Sequence, residues 1–315
     1  MKSISRYFGL DVSKPFLDLA LDGSKKTTRF TNTEEGADAL AKGFGPGDFV
    51  AMERTGGYER LVLRKLKEAG VAACAYNPCR VKEHSHSMGH RAKTDALDAL
   101  RIAEAGKALP APSFKTQERE ELCGLSRCIQ DVKSRLADVR KKMKVPGLSL
   151  AHRASLYRQA ESLKTEIKVA GEEFKALVLS SPLAEEYLLA QTVPGVGAVT
   201  ARVVVTELSE GYAELDRGKV TCYAGLAPLD NASGKTVKAK RLAKGNWRLK
   251  AAFYMPALRA VRNQEWAKTL YARLRSQGKS HQSALVPVMR RLLVRVFAVL
   301  KRGTPWQDVP PIALE

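Results

Sequence analysis

Five short runs rich in β-branched and aromatic residues dominate the first quarter of the chain: Tyr7–Val12, Phe16–Leu21, Thr27–Thr31, Phe49–Glu53 and Val71–Tyr76. Only a few residues separate the first three, too few for a helix, so they form an antiparallel meander. Glu34–Phe44 separates the third run from the fourth, and Gly57–Ala69 the fourth from the fifth. Both stretches carry apolar residues at helical spacing. Thr33 is placed to cap the first helix and Gly70 to stop the second. A polar loop follows, and a further helix begins near Asp95. The order β-β-β-α-β-α-β-loop-α restricts the chain to a mixed sheet with helices packed on it.

That order is the order of a ribonuclease-H-like domain. In open α/β sheets, sites gather at strand ends. Asp11 ends the first strand and Glu53 the fourth. Asp95 and Asp98 lie three apart in Lys93-Thr94-Asp95-Ala96-Leu97-Asp98-Ala99, so they share one helical face. Alone, each acid has an ordinary explanation: a turn residue, a salt-bridge partner of Arg54 or Arg60, a solvated helix face. Together they form a four-carboxylate set suited to Mg²⁺, which takes oxygen ligands. One or two such ions offset phosphate charge, activate a nucleophile and support a leaving oxygen. The stretch from Cys74 to His90 matches no familiar zinc-site spacing. It reads as a basic loop approaching nucleic acid.

Residues 117–180 change character. Leu122, Leu125, Ile129, Val132, Leu136, Val139 and Met143 recur every three or four residues. After Val145-Pro146-Gly147 the pattern resumes with Leu156, Ala160, Leu163, Ile167, Ala170, Phe174 and Leu177. These near-heptad seams predict an antiparallel helical arm. A two-helix seam buries little by itself, so the arm is expected to pair with another copy; a plain intrachain hairpin is the alternative. Pro194-Gly195-Val196-Gly197 then lies between two helical stretches. It fits a helix-hairpin-helix turn, whose backbone N–H groups can meet a phosphate, or an ordinary helix–helix turn.

The sequence carries a formal net charge of +20 over 315 residues, pointing to a polyanionic partner. The charge is concentrated. Residues 235–302 hold 18 Lys and Arg against one acid, Glu265. Aromatic residues, among them Trp247, Trp266 and Tyr271, are interleaved with them, a pattern suited to phosphate contact and base packing. Ser233 stands in a small-residue loop just before this segment. A serine hydroxyl needs activation, and no Asp/His pair accompanies it. Its residues leave it as a nucleophile beside metal and Lys/Arg, or as a loop serine that contacts phosphate. Five cysteines without disulfide spacing, no signal-peptide pattern and no run of about 18 apolar residues point to a cytoplasmic protein without a membrane span.

Several motifs now stand together. They are Gly9-Leu10-Asp11-Val12-Ser13, Met52-Glu53-Arg54-Thr55-Gly56-Gly57-Tyr58, Asn77-Pro78, Lys93 to Ala99, Pro194 to Gly197, Tyr223 to Pro228, Ser233-Gly234 and Lys244-Gly245-Asn246. With these motifs the chain resembles the DEDD-type insertion-sequence transposases related to the Piv site-specific invertase, the bridge-RNA-guided serine recombinases. The resemblance implies a RuvC-like domain (1–112) whose tetrad Asp11, Glu53, Asp95 and Asp98 binds Mg²⁺, with Mn²⁺ as a substitute. It implies a coiled-coil arm (113–182). It implies a mainly α transposase domain (183–315) in which Ser233 forms a phosphoserine link to DNA. The implied partners are donor and target DNA, a structured guide RNA and further copies of the chain in a dimer or tetramer, in the cytoplasm of a bacterium or archaeon. The expected nucleic-acid contacts are Arg91, Lys93, Gly195, Gly197, Lys235, Lys238, Lys240, Arg241, Lys244, Asn246 and Arg248. The alternatives are a RuvC-like nuclease of the junction-resolvase type and a non-catalytic nucleic-acid-binding relative.

Overall fold

A computed structural model describes residues 4–24, 26–89, 95–110, 116–208, 212–229, 232–233, 236–237 and 241–307. The chain divides into two compact units, Met1–Phe114 and Lys115–Glu315.

The first unit is mixed α/β. Its strands are β1 (Arg6–Val12), β2 (Phe16–Leu21), β3 (Thr27–Thr31), β4 (Asp48–Glu53) and β5 (Ala72–Tyr76), and its helices are α1 (Glu34–Ala41), α2 (Glu59–Glu68), α3 (Pro78–Ser87) and α4 (Asp95–Ala108). The sheet order is β3-β2-β1-β4-β5. The meander β1-β2-β3 is antiparallel, and β1, β4 and β5 run parallel, because the last two connections each contain a helix.

Strand alternation assigns the two faces of the sheet. Leu10, Val12, Val50 and Met52 pack with Ala37, Leu40, Val62 and Leu66 of α1 and α2. Phe49, Ala51 and Tyr76 pack with Val81 of α3 and with Ile102 and Ala105 of α4. Helix α4 lies directly on β1 because Gly9 has no side chain: a Cβ there would stand 1.9 Å from the Ala99 carbonyl oxygen.

The stretch after β5 corrects the expected polar loop, since residues 78–87 form α3. Asn77 caps it, its Oδ1 accepting from Cys79 N at 2.9 Å, and Pro78 occupies the first turn. Proline fits there because the first helical N–H groups lack intrahelical acceptors.

The second unit is mainly helical. It begins with α5 (Gln117–Lys142) and α6 (Leu150–Leu179). Leu136 and Val139 pack with Leu156 and Ala160. Leu122 and Ile129 share a core with Ala170, Phe174 and Val178. The two helices therefore run antiparallel, each on the order of 40 Å long. The seam departs from the expected register at its end. Leu177 is 54% exposed while Val178 is fully buried, since a four-residue step from Phe174 keeps closer to a 3.6-residue helix than a three-residue step.

Helices α7 (Ala184–Thr192), α8 (Ala198–Glu207) and α9 (Arg217–Tyr223) follow, then the short strands β6 (Pro228–Leu229), β7 (Ala232–Ser233), β8 (Thr236–Val237) and β9 (Arg241–Leu242). Helices α10 (Trp247–Ala252), α11 (Tyr254–Asn263), α12 (Glu265–Ser276) and α13 (His281–Arg302) complete the unit. The base of the arm is tied down by charge. Arg119, 1% exposed, binds both carboxylate oxygens of Glu186 on α7 and donates to the Val205 carbonyl on α8. No helix among the described residues is long and apolar enough to cross a membrane.

Candidate active site

Asp11 and Glu53 come together through strand register. Gly9 pairs with Ala51 across the parallel β1–β4 ladder. Two residues further along each strand, Asp11 and Glu53 project from the α3/α4 face. On α4, Asp98, Arg101, Ile102 and Ala105 share one helical face, and Ile102 and Ala105 are buried against the sheet. The same packing carries Asp98 to the strand ends. Asp11, Glu53 and Asp98 thus line one cleft of about 400 Å³. The backbone of Asp95 opens α4; its side chain, with Arg91 and Lys93, lies outside the described residues.

The cleft contains basic side chains as well. Lys82 and Arg101 line it together with the His86 imidazole, and Arg101 donates to Asp98 Oδ1 at 3.2 Å. The sequence places Lys82 in a basic loop beside the acids; the structure puts it on a helix instead and adds His86 as a cleft residue. The signal was present: Asn77-Pro78 starts a helix, which puts Val81, Lys82, Ser85 and His86 at i, i+1, i+4 and i+5, along one side. Among the described residues, no group of three or more His, Cys, Asp or Glu side chains is already gathered into a metal cage. Burial pushes the nearby Cys74 thiol up to about 11, so it stays protonated near neutral pH.

The loops that follow Asp11 and Glu53 are held by their own polar residues. Glu59 accepts from Thr55 N, Thr55 Oγ1 and Gly57 N at 3.1, 3.2 and 2.8 Å, closing the turn that follows Glu53. Gly56 and Gly57 take φ of +80° and +123°, which glycine adopts without a Cβ penalty. Asn32 Nδ2 donates to the carbonyls of Ser13 and Tyr58 at 2.9 and 3.2 Å, tying the loop after Asp11 to the loop after Glu53.

In the second unit, Ser233 ends β7, and its backbone pairs with Thr236 of β8. The small-residue loop of the sequence reading is here a strand end. The side chains of Ser233 and Arg241, and residues Gly234, Lys235, Lys238 and Lys240, lie outside the described residues. The surroundings are defined. Pro228 pairs with Leu242 across β6 and β9. Below them Gly245 packs on Gly225: a Cβ on Gly245 would stand 2.3 Å from Gly225 N. Asn246 N donates to the Tyr223 carbonyl at 2.7 Å. The motifs Tyr223 to Pro228 and Lys244-Gly245-Asn246 are thus the two sides of one clasp, preceding and following Ser233 in the chain.

Of the other expected contacts, Asn246 is engaged inside the fold. It caps α10 through Oδ1 and donates from Nδ2 to Glu207 Oε2 at 2.8 Å. Gly195 takes φ of +92° in the turn between α7 and α8, and Gln264 Nε2 donates to the neighbouring Pro194 carbonyl at 3.0 Å. Gly197 is the N-cap of α8. Lys244 is exposed, and Arg248 is half-buried with its guanidinium 4.8 Å from the Trp247 ring centre.

Comparison with known proteins defines the class. A transposase model of the DEDD IS110 type matches residues 8–145, and the model of the transposase IS116/IS110/IS902 family matches residues 187–272. Together they take in more than two thirds of the chain. The pilin gene-inverting protein of Moraxella bovis is 22% identical over 316 residues, covering 95% of this chain and 97% of that protein. The transposase for insertion sequence element IS1111A of Coxiella burnetii is 26% identical over 80% of this chain and 78% of its own length. The insertion element IS110 43.6 kDa protein of Streptomyces coelicolor is 29% identical over 54% of this chain, and the match spans only 40% of that protein. The chain belongs to the IS110/IS116/IS902 transposase family and is homologous to the pilin gene-inverting protein over nearly its whole length.

Proposed function

We propose that the protein is a divalent-metal-dependent DNA recombinase that cuts and rejoins strands through a phosphoserine at Ser233. The observation that carries this reading is the convergence of Asp11, Glu53 and Asp98 on one cleft at the strand ends of the sheet. The strand order and the position of α4 support a RuvC-like, ribonuclease-H-like assignment of the first unit. The fold suits α5 and α6 as a coiled-coil arm for a dimer or tetramer.

The donor set fits a hard cation, because these three side chains offer only carboxylate oxygens. Asp11, Glu53 and Asp98, with Asp95, would hold Mg²⁺ or Mn²⁺. The bound metal would offset phosphate charge and lower the cost of ionising the attacking hydroxyl. Arg101 holds Asp98 in place by its 3.2 Å hydrogen bond. Lys82 faces the same cleft and attracts the phosphodiester to it. The Ser233 Oγ forms a bond to phosphorus as the scissile P–O bond breaks, and the leaving strand hydroxyl takes up the proton that the serine gives up. The ester conserves the phosphodiester linkage for rejoining by the reverse attack. The basic second unit holds DNA and a structured guide RNA, with sequence choice left to base pairing.

A hydrolytic nuclease is the second reading, favoured by a cleft whose acids and cations are accompanied, among its described lining residues, by one serine, Ser85, whose hydroxyl is spent on the Val81 carbonyl at 2.9 Å. Calorimetric titration with Mn²⁺ tests the metal site. Wild type should bind with saturable heat, and Asp11→Asn and Asp98→Asn should each weaken binding at least tenfold. Unchanged binding in both variants removes the site. Sequencing the nucleic acid that purifies with the protein tests guidance: one defined structured RNA is expected, and random fragments speak against it.

A further inference from the structure

The second unit contains another cleft, of about 410 Å³, enclosed by α5, α8, α10 and α11. Its charge is one-sided. Arg127, Lys133 and Arg248 line it, and Glu207 is the single carboxylate that does so among the described residues. Glu207 is already committed. It accepts from Arg127 Nε and Nη2 at 3.0 and 3.1 Å and from Asn246 Nδ2 at 2.8 Å. Lys133 and Arg248 therefore have no balancing acid among the described residues of the cleft.

Two further observations say that this charge is made for an anion. Arg248 Nε is buried and has no hydrogen-bond partner, which is costly unless a ligand supplies an acceptor. Behind Lys133 stands Arg202, 5% exposed, with Nε and Nη2 also unpartnered and its guanidinium 5.8 Å from the Phe174 ring centre. Its positive field acts on Lys133, whose pKa is held below the ordinary lysine value first by burial and then by Arg202. A cationic cavity with low-dielectric walls concentrates anions.

The rim is apolar and open. Val199 and Met255 line the cleft and are 54% and 67% exposed, and Trp247, against Arg248, is 57% exposed. Cations in the cleft, exposed apolar side chains on its lining and an exposed aromatic ring beside Arg248 match the two parts of a nucleotide: a phosphate, and a base with a flat face to pack. The volume is too narrow for a duplex and ample for one nucleotide.

We infer that the cleft between α5, α8, α10 and α11 is a binding site for one unpaired nucleotide of a nucleic-acid strand, with its phosphate between Lys133 and Arg248 and its base packed on Met255 and Trp247. The inference rests on the reading of the protein as a nucleic-acid enzyme and adds a site distinct from the carboxylate cleft. The strand is RNA or single-stranded DNA, since both offer the same phosphate and base.

The test is fluorescence anisotropy of the full-length protein, stripped of nucleic acid, with a labelled 15-nucleotide RNA, the same sequence as single-stranded DNA, and its DNA duplex. Lys133→Gln with Arg248→Gln should weaken binding of at least one single strand tenfold or more. The same pair should flatten the slope of log K against log salt by about 0.7 for each phosphate that is no longer neutralised, and Lys133→Gln alone should leave the duplex within about twofold of wild type. The strand whose affinity falls identifies which source the site takes. Met255→Glu, at an exposed position, should give the same selective fall and keeps the test decisive where the Arg248 variant does not fold. Single-strand binding within twofold of wild type for Met255→Glu and for Lys133→Gln overturns the inference, as does an equal fall on the duplex. A wild-type protein that binds none of the three probes instead overturns the nucleic-acid reading of the whole chain, and the two failures are distinguishable.

Discussion

The position that most directly couples packing to the carboxylate cleft is Gly9. Adding one methyl group there, Gly9→Ala, places a Cβ 1.9 Å from Ala99 O and 2.4 Å from Ala103 N. Ordinary Cβ contacts begin near 3.4 Å, so α4 has to retreat from β1 by roughly 1.5 Å or the strand has to buckle. Both colliding atoms are backbone, so no rotamer change relieves them, and trimming Ala103 to Gly gives no rescue. Overpacking of this kind costs about 1–3 kcal/mol, a fall of roughly 4–8 °C in melting temperature per kcal/mol for a unit of this size. The functional cost is larger. Asp11 lies on β1 two residues after Gly9, and Asp98 sits one residue before Ala99. A misplacement of about 1 Å between reacting groups can cost on the order of 100-fold in rate. The assay is strand cleavage on a DNA substrate with Mg²⁺, alongside a thermal melt. Gly9→Ala should lower the cleavage rate about 100-fold while DNA binding is retained. Gly23→Ala is the control: its φ is +78° and nothing stands within 4 Å of the added Cβ. It should cost about 1–2 kcal/mol through left-handed strain and leave the rate unchanged. A Gly9→Ala protein that melts and cleaves like wild type refutes the packing argument.

Other expectations concern the scaffold. Glu186→Ala takes the carboxylate away from the Arg119 guanidinium, 1% exposed, while its bond to the Val205 carbonyl remains, and should cost about 3–5 kcal/mol in a denaturant titration. Arg119→Met should cost less, because the carboxylate it leaves behind is 23% exposed; the reverse order would contradict the burial argument. Asp48 is buried and accepts from Arg6 Nε and Nη2 at 2.7 Å each, which holds its carboxyl below the ordinary value of 3.8. A lowered folded-state pKa stabilises fully above the unfolded value and is lost as pH falls through the folded one. Acid unfolding below about pH 4 should therefore flatten in Asp48→Asn, seen by circular dichroism; an unchanged acid limb excludes the pair as a contributor. Asn77→Ala removes the cap of α3 and should cost about 1 kcal/mol, with weaker nucleic-acid affinity because α3 carries Lys82 and His86 into the cleft. Full affinity would separate α3 from nucleic-acid binding.

The strands of the first unit were legible because alternation and flanking turns survive in sequence: β2 and β3 fall on the expected residues. Asp11, Glu53 and Asp98 were legible as a group because element order brings strand ends and one helix to a common edge. Helix α3 was missed because polar residues such as Lys82, Glu83, His84 and His86 obscure its single buried stripe of Val81 and Ser85. The seam of α6 was followed one residue too rigidly, since a heptad reading does not register the drift of a 3.6-residue helix. The clasp of Gly225 on Gly245 was present as two separate motifs that no local pattern joins. The nucleotide cleft was invisible for the same reason: Lys133 and Arg248 are far apart in sequence, and only the packing of α5 on α8 and of α8 on α10 brings them together.

The central claim is that Ser233 bonds to DNA while Asp11, Glu53 and Asp98 serve the same step. The direct measurement is denaturing gel analysis of the protein with labelled target DNA, its guide RNA and Mg²⁺. The account predicts a covalent protein–DNA species that disappears in Ser233→Ala and is reduced at least 100-fold in Asp98→Asn. Clean strand breaks with no adduct in the wild type, or an adduct that survives Ser233→Ala, would contradict it.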